Sequence, residues 1–285
     1  MPRLPTTERL HPASRALHAR STRGALALLH QGDLEAARAV GRALPALARL
    51  ADAAAEALAS GGRLLYAGAG TSGRLGALDA AEWPPTFGIA ASRVRALVAG
   101  GARALARSVE GAEDDVAAAR AAVQRARVGE RDLVVALSAS GTTPWALAAI
   151  AEARRMGAGT ALVTSNPAAR GGAALVVVLD TGPELVAGST RMKAGSATKM
   201  ALSLLSTAAM VRLGRVREGR MIDLRATNAK LRLRALRMVE ELGGVTARRA
   251  RAALEASGWS VRRALEQVEA SRAGSGSGSK LRGRK

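Results

Sequence analysis

Short apolar runs alternate with amphipathic stretches through the central part of the chain. Five runs have the length and apolar content of buried strands: RLLYAGAG (63–70), VRALVAGG (94–101), DLVVALSAS (132–140), GTALVTSN (159–166) and ALVVVLD (174–180). Stretches with helical periodicity begin near Ser72 and span 113–127, 144–155 and 190–213. Strands that alternate with helices predict an α/β fold, a parallel sheet with helices on both faces. Ligands of such sheets bind at the carboxyl ends of the strands.

The segments outside this alternation have different patterns. Residues 1–32 are polar and interrupted by prolines, which predicts an arm with room for one short helix. Helical periodicity follows over 33–59, with Asp33 as the predicted N-cap and Pro45 as the point where we expect the helix to divide. The predicted domains are the arm (1–32), an α/β domain (33–214), a small helical domain (215–270, with helices over 221–242 and on either side of Gly258) and a flexible basic Gly/Ser tail (271–285).

Composition excludes several classes of site. The chain has 285 residues and no cysteine, and its three histidines all lie within the first 30 residues. Disulfides, thiolate zinc sites, cysteine nucleophiles and a multi-histidine site in the main domain are therefore excluded. The net charge of +20 is concentrated at the ends, because 1–30 carry +4 and 215–285 carry +11. With aromatic residues at only 2%, this distribution argues against nucleic-acid binding as the main function.

Nothing in the hydropathy pattern indicates a membrane protein. No run of 18 uncharged apolar residues occurs, and the N-terminal sequence lacks the apolar core of a secretory signal. We therefore expect a cytoplasmic protein with no membrane or nucleic-acid partner.

Two loops rich in hydroxyl groups follow predicted strands and precede predicted helices. In GAGTSGRLG (68–76) the glycines permit a tight turn whose N–H groups favour an anion at the helix start. This loop is neither a Walker loop nor a full dinucleotide fingerprint, because the required lysine and the later acidic residue are missing. SASGTTP (138–144) packs four hydroxyls around one glycine. Together the loops predict a site for one phosphorylated small molecule, formed by Thr71, Ser72, Gly73, Ser138, Ser140, Thr142 and Thr143; an ordinary tight turn and simple N-capping are the alternatives.

A third segment, GPELVAGSTRMKAGSATKM (182–200), leads into the long predicted helix. Ser189 or Thr190 is the predicted cap of that helix. Arg191 and Lys193 then fall in the first turn, where a cation opposes the helix dipole unless an anion compensates. A solvated charged end is the alternative. We include Glu184, Ser189 and Lys193 among the candidate substrate-binding residues.

Two glutamates are candidates for acid–base chemistry, since cysteine is absent and histidine is confined to the arm. Glu82, in DAAEWPPTFG, ends the predicted helix that begins near Ser72. Glu113, in VEGAEDD, follows the second predicted strand. We expect both to lie near the strand ends that carry the two loops. The alternative is that they are ordinary solvated carboxylates.

These segments together resemble one family, the N-acetylmuramic acid 6-phosphate etherases. The matching stretches are TERLHPAS (7–14), LLYAGAGTSGRLGALDAAEWPPTFG (64–88), VEGAEDD (109–115), ALSASGTTP (136–144), ELVAGSTRMKAGSATKMALSLLSTAAMVRLG (184–214) and DLRATNAKL (223–231). The resemblance implies a sugar isomerase (SIS) domain, a five-stranded parallel sheet with helices on both faces, followed by a small helical domain. It also implies a homodimer with sites near the subunit contact, and we expect the N-terminal arm to pack across the partner.

The reaction that the resemblance implies is cleavage of the D-lactyl ether of N-acetylmuramic acid 6-phosphate. Lactate is eliminated and water then adds, which gives N-acetylglucosamine 6-phosphate and D-lactate without a metal or redox cofactor. Glu82 matches the proton donor, and Glu113 matches a second essential glutamate that we expect to be the base at C2. Ser72, Ser138, Ser140 and Thr143 match positions that hold the sugar phosphate.

One departure from the family pattern affects the predicted phosphate site. Thr142 stands where an arginine is usual, so one cation near the phosphate is expected to be missing. Two other functions remain open at this point: a non-catalytic sugar-phosphate-binding regulator and a sugar-phosphate isomerase. The presence of both Glu82 and Glu113 favours catalysis over the regulator, and the DAAEWPPTFG block favours the etherase over the isomerase.

Overall fold

The chain forms two compact units. A computed structural model describes residues 5–223, 226 and 228–277, with side chains up to residue 272. The first unit comprises the described residues up to Glu82 together with Ala90–Arg212. The second comprises Trp83–Ile89 and the described residues from Leu213 onward. The arm thus belongs to the same unit as the sheet, whereas a short piece from the middle of the sequence groups with the C-terminal helices.

A five-stranded parallel sheet forms the centre of the first unit, as predicted. Its strands are β1 (Leu64–Gly68), β2 (Val94–Val98), β3 (Leu133–Leu137), β4 (Gly159–Thr164) and β5 (Leu175–Val178), in the order β2-β1-β3-β4-β5. Both β1 and β3 are buried along their whole length, which explains why they are continuous apolar runs without alternation. The predicted fold class is confirmed.

Helices cover both faces of the sheet. They are α1 (Thr22–Ala59), α2 (Gly70–Phe87), α3 (Arg103–Ala106), α4 (Val116–Arg125), α5 (Pro144–Arg155) and α6 (Lys193–Arg212), preceded by three short 3-10 turns at Thr6–Glu8, Pro12–Ser14 and Leu17–Ala19. Val123 of α4 and Trp145 of α5 pack with Leu65 and Val134 in one apolar cluster on the sheet. Helix α1 contacts strands β1, β3 and β5 of the sheet. Helix α6 packs along α1.

The first helix is longer than predicted and is not divided. It starts at Thr22, where the Ser21 hydroxyl accepts a hydrogen bond from the Gly24 N–H, and it continues through Pro45. Proline in a helix interior costs about 3 kcal/mol. Buried side chains lie on both sides of it, including Val40 and Leu47, so tertiary packing outweighs that local cost. The predictions of an Asp33 cap and a break at Pro45 are therefore wrong.

The second helix also passes the point where we expected it to end. It continues beyond Glu82 through Pro84 and Pro85 to Phe87. Trp83 and Phe87 are one turn apart, both are buried, and their rings meet edge to face with centroids 6.4 Å apart. This aromatic contact helps to hold the last turn in helical form despite the two prolines.

The second unit is a small helical bundle. Its elements are the hairpin strands β6 (Val216–Arg217) and β7 (Arg220–Met221) and the helices α7 (Ala229–Gly243), α8 (Ala247–Ala256) and α9 (Val261–Ser277). The three helices pack on one another around an apolar core that includes Met238, Leu254 and Leu265. Helix α9 continues through Ser277, so residues 271–277 of the predicted flexible tail are helical, and residues 278–285 lie outside the described residues.

Within the described part of the chain, no helix has the length and apolar character that a membrane span requires.

Candidate functional site

The polar loops lie side by side at one edge of the sheet. Gly68 at the end of β1 is in register with Val98 at the end of β2 and Leu137 at the end of β3. The chain proceeds from β1 outward to β2 on one side and then returns to β3 on the other side. Such a switch in direction opens a crevice at the carboxyl ends of the two central strands, where α/β proteins bind ligands.

The glycine-rich loop between β1 and α2 depends on close backbone approach. A side chain at Gly73 would place its Cβ 2.5 Å from the Gly68 carbonyl oxygen, and Gly70 has φ of +52°. The loop therefore folds tightly enough to start α2 directly at the strand end. Thr71 and Ser72 are half-buried there, and neither hydroxyl has a hydrogen-bond partner among the described residues. Both remain available to a ligand.

The loop after β3 gathers its four hydroxyls into one cluster. Ser138 Oγ lies 2.8 Å from Thr143 Oγ1 and 3.4 Å from Ser140 Oγ. The Thr142 hydroxyl donates to Ser140 Oγ at 3.0 Å. Thr143 occupies the N-cap position of α5 but makes no side-chain cap bond. The alternative that these residues are simple helix caps does not describe their contacts.

Residues at the end of β4 hold this loop from behind. The Asn166 amide donates to the Ser140 carbonyl oxygen at 2.8 Å, and the Thr164 hydroxyl donates to the Ala139 carbonyl oxygen at 3.2 Å. Gly141 has φ of +70°, and a Cβ there would lie 2.2 Å from that of Ala169. These supporting residues were not among the predicted site residues. The signal was present in the polar Thr-Ser-Asn sequence that ends β4 at the same sheet edge.

Glu113 lies between the two loops. Its backbone carbonyl oxygen accepts a hydrogen bond from the Trp145 N–H at 2.9 Å, which ties it to the start of α5. It also lines a cleft of about 190 Å³ together with Ala69 and Gly70 of the glycine-rich loop. Its side chain is exposed in the single chain. A base at this position would face a ligand held by the hydroxyl groups.

Glu82 lies elsewhere. It is twelve residues beyond Gly70 on α2, which at 1.5 Å per residue puts it about 18 Å along the helix from the loops. It is exposed in the single chain. The expectation that both glutamates lie near the strand ends is therefore correct for Glu113 and wrong for Glu82, because α2 carries Glu82 away from that edge.

Glu184 and Lys193 form a buried polar network at the start of α6. The Glu184 carboxylate accepts hydrogen bonds from the N–H groups of Lys193 (3.0 Å) and Ala194 (2.9 Å). Lys193 Nζ bonds to Glu35 of α1 at 2.6 Å. Burial raises the pKa of the Glu184 carboxyl, although its two N–H donors act in the opposite direction. Both side chains are more than nine-tenths buried, so the geometry favours positioning over direct contact with a substrate.

The cap predicted for α6 is also corrected by this network. The helix begins at Lys193, and the Glu184 carboxylate takes the place predicted for Ser189 or Thr190. Those two residues lie in the preceding turn, both half-buried. The N–H of the adjacent Gly188 donates to the Thr7 carbonyl oxygen at 3.1 Å. The arm thus packs on this turn within its own chain.

Metal-binding residues are not concentrated anywhere in the described ranges. No group of three or more His, Asp or Glu side chains there is arranged to hold a metal ion. The expectation that no metal or cofactor takes part stays a prediction.

Comparison with solved structures supports the fold. The chain is similar to the E. coli CFT073 protein c3406 in complex with A5P, with a TM-score of 0.51, 16% identity and coverage of 70% of this chain and 97% of that one. It is also similar to a phosphoheptose isomerase from Francisella tularensis, with a TM-score of 0.50, 16% identity and coverage of 67% and 100%. At these identities the likeness establishes the α/β fold alone.

Sequence comparison is more specific. The profile of the glucokinase regulatory protein N-terminal SIS domain matches residues 46–154. The N-acetylmuramic acid 6-phosphate etherase of Deinococcus radiodurans is 48% identical over 265 residues, which cover 92% of this chain and 87% of that protein. The enzyme of the same name from Symbiobacterium thermophilum is 48% identical over 247 residues, with coverage of 86% and 82%. The regulator is not favoured, because proteins named as etherases match most of the chain at 48% identity. With nearly half of its residues identical to these enzymes over most of its length, the chain belongs to the N-acetylmuramic acid 6-phosphate etherase family.

Proposed function

We propose that this protein is a carbon–oxygen lyase that cleaves the D-lactyl ether of N-acetylmuramic acid 6-phosphate. With water, the reaction gives N-acetylglucosamine 6-phosphate and D-lactate. The observation that carries the proposal is the placement of Glu113 beside two hydroxyl-rich loops at the switch point of the sheet. Its setting is the recycling or catabolism of cell-wall amino sugars in the cytoplasm.

The hydroxyl loops bind the phosphate in this proposal. Ser140, Thr142 and Thr143 present hydroxyls at the start of α5, and Thr71 and Ser72 do so at the start of α2. The N-termini of two helices then face the phosphate, where their free N–H groups and partial positive charge favour an anion. Thr142 places a neutral hydroxyl where the family pattern has a cation. Binding here leaves the sugar chain directed towards Glu113.

The chemistry requires one base and one acid. With the sugar ring open, the aldehyde at C1 acidifies the proton on C2, and Glu113 removes it. The C3–O bond breaks, a double bond forms between C2 and C3, and Glu82 gives its proton to the departing lactyl oxygen. Water then adds at C3 while a proton returns to C2, so the two carboxyl groups end as they began. General acid–base steps of this kind contribute about 10²- to 10⁴-fold to the rate.

Glu82 reaches the site from a second copy of the chain. On α2 it follows Leu75 and Leu78 at spacings of seven and four residues, so the three side chains share one helix face. Leu78 is 51% exposed, and Leu204 of α6 is 45% exposed. Leu75 lines an open cavity of about 480 Å³ between α1, α2 and α6. An apolar face of this kind supports a homodimer contact, and in the dimer α2 of one protomer brings its acid to the base of the other.

Release of D-lactate from N-acetylmuramic acid 6-phosphate by the purified protein, with a chelator present, tests the reaction. We expect release that matches the amount of N-acetylglucosamine 6-phosphate formed. The matched control is Glu113→Gln, which keeps the shape of the side chain and removes the base. A folded protein that binds the phosphosugar and releases no lactate would contradict the proposal and return attention to a sugar-phosphate-binding regulator.

A further inference from the structure

The cleft that Glu113 lines lies beside the backbone of the glycine-rich loop, at Ala69 and Gly70. Beyond Ala69 and Gly70 it is bordered by Arg74 of α2, Ala104 of α3 and Ser108. Its volume of about 190 Å³ equals that of about six water molecules at 30 Å³ each. The phosphate and the two glutamates of the proposed mechanism do not account for this space.

Arg74 is the cation of the cleft. Its Nε donates to the Ala104 carbonyl oxygen at 2.8 Å, which fixes the direction of the guanidinium. Its two Nη groups have no hydrogen-bond or ion-pair partner within the described ranges. The side chain is half-buried, and it sits one helical turn after Gly70, so it is held close to the loop. A fixed, partly desolvated guanidinium with free Nη groups is suited to bind a carboxylate through two parallel hydrogen bonds.

The substrate of the proposed function has two anionic ends. One is the 6-phosphate, which the hydroxyl loops take. The other is the carboxylate of the lactyl group. The lactyl group has six non-hydrogen atoms and is joined to C3, next to the carbon that Glu113 deprotonates. The N-acetyl group on C2 is neutral and gains less from a guanidinium than a carboxylate does.

We propose that this cleft is the lactyl subsite and that Arg74 binds the lactyl carboxylate; this inference depends on the proposed function. Phosphate and carboxylate then hold the open-chain sugar at both sides of C2 and C3. Two carboxylates also line the cleft, Glu113 and the exposed Glu110. They repel a second anion, which makes the cation at Arg74 the determinant of whether the lactyl group enters. A sugar phosphate without the lactyl group leaves the subsite empty.

The test compares N-acetylmuramic acid 6-phosphate with its lactyl carboxamide, which has the same shape without the charge. We expect the wild-type kcat/KM to fall about 10- to 100-fold from acid to amide, as for the loss of one charge-assisted pair. Arg74→Gln should lose a similar factor on the acid, mainly through KM, and show almost no difference between acid and amide. Arg103→Gln, which changes an exposed arginine of α3 outside the cleft, should retain the wild-type preference.

A second variant covers the case in which Arg74→Gln disturbs folding through the lost bond to Ala104. Arg74→Lys keeps the charge, and we expect a weaker but detectable preference for the acid, together with weaker product inhibition by added D-lactate. If the wild type turns over the substrate and both variants still prefer the acid to the amide as strongly as the wild type does, the subsite alone is overturned. No turnover by the wild type would overturn the proposed function, and the subsite with it.

Discussion

Within one chain, the side chains at the carboxyl edge of the sheet are held by hydrogen bonds, whereas those on the outer face of α2 are exposed. At the sheet edge, the hydroxyls of Ser138, Ser140 and Thr143 contact one another, and Asn166 supports them from behind. On the outer face of α2, Leu78 and Glu82 are exposed. A single chain therefore orders the loops that we propose bind the phosphate, whereas the proposed acid lies on a surface that only the proposed dimer would cover.

Inactivation of each region separately has the largest expected effect. We expect Glu82→Gln and Glu113→Gln each to lower kcat by about 10²- to 10⁴-fold, because each removes a proton-transfer group. If the acid comes from the partner, mixing the two variants restores activity to about a quarter of wild type, because half of the dimers are mixed and half of their sites are intact. Steady-state assays of lactate release on re-equilibrated mixtures measure this.

If both single variants are inactive, the absence of recovery in their mixture would show that the two glutamates act within one chain. A single variant that keeps wild-type turnover would identify which glutamate has no role.

The apolar face of α2 provides the next largest effect. Leu78→Glu places a charge in the proposed contact, and we expect the dissociation constant of the dimer to rise about 100-fold, the equivalent of about 3 kcal/mol. Lactate release should fall with the dimer. Sedimentation and activity across a concentration series check both. Leu233→Glu, at an equally exposed leucine of α7 (52%), is the control and should change neither; a wild-type protein that sediments as a monomer would disprove the contact.

Removal of the Glu184 carboxylate tests whether it has a positioning role. Glu184→Ala leaves the buried N–H groups of Lys193 and Ala194 without an acceptor, so we expect a loss of about 2–3 kcal/mol in the free energy of unfolding. Glu56→Ala, which removes an exposed carboxylate of α1, is the control and should cost less than about 1 kcal/mol. Urea denaturation measures both. Unchanged stability of Glu184→Ala with abolished phosphosugar binding would instead support direct contact with the substrate.

Substitution in the hydroxyl loop should affect binding more than chemistry. Ser138→Ala removes the bond to Thr143 and the acceptor for the Gly141 N–H, so we expect KM to rise about 10-fold with a smaller change in kcat. Ser92→Ala, at an exposed serine outside the site, is the control. An equal fall in kcat and kcat/KM would place the role of the loop in the transition state rather than in binding.

The smallest effect concerns an ion pair away from the loops. Hydrogen bonds from Arg155 and Gln124 lower the pKa of Glu152 from its usual 4.5 to about 2. The stabilisation is therefore present above pH 4.5 and is lost as the pH falls towards 2. We expect about 1 kcal/mol over this window, since Arg155 is largely exposed and solvent screens the pair. Thermal melts of Glu152→Gln should lack this loss; identical pH curves for the variant and the wild type would contradict the shift.

Much of the local structure was predictable because burial leaves a direct trace in the pattern. Strands β1 and β3 were found because a strand covered by helices on both faces is apolar along its length. The helix Pro144–Arg155 was placed correctly because proline at the first position and hydroxyls before it mark a helix start. The helix ends predicted near Pro45, Pro84 and Pro85 were wrong, because the packing that compensates each proline comes from residues on other turns and other helices.

The fold class, the two hydroxyl loops and the pair of candidate glutamates could be recognised from the sequence, because each depends on residues close together in the chain. Three features follow from the three-dimensional packing instead: Glu113 lies between the loops, Glu82 lies away from them, and Glu184 caps a helix that begins nine residues later. Which side chains meet at one edge of a sheet depends on strand order, register and helix length. Those are set by packing between distant segments, so local pattern alone does not reveal them.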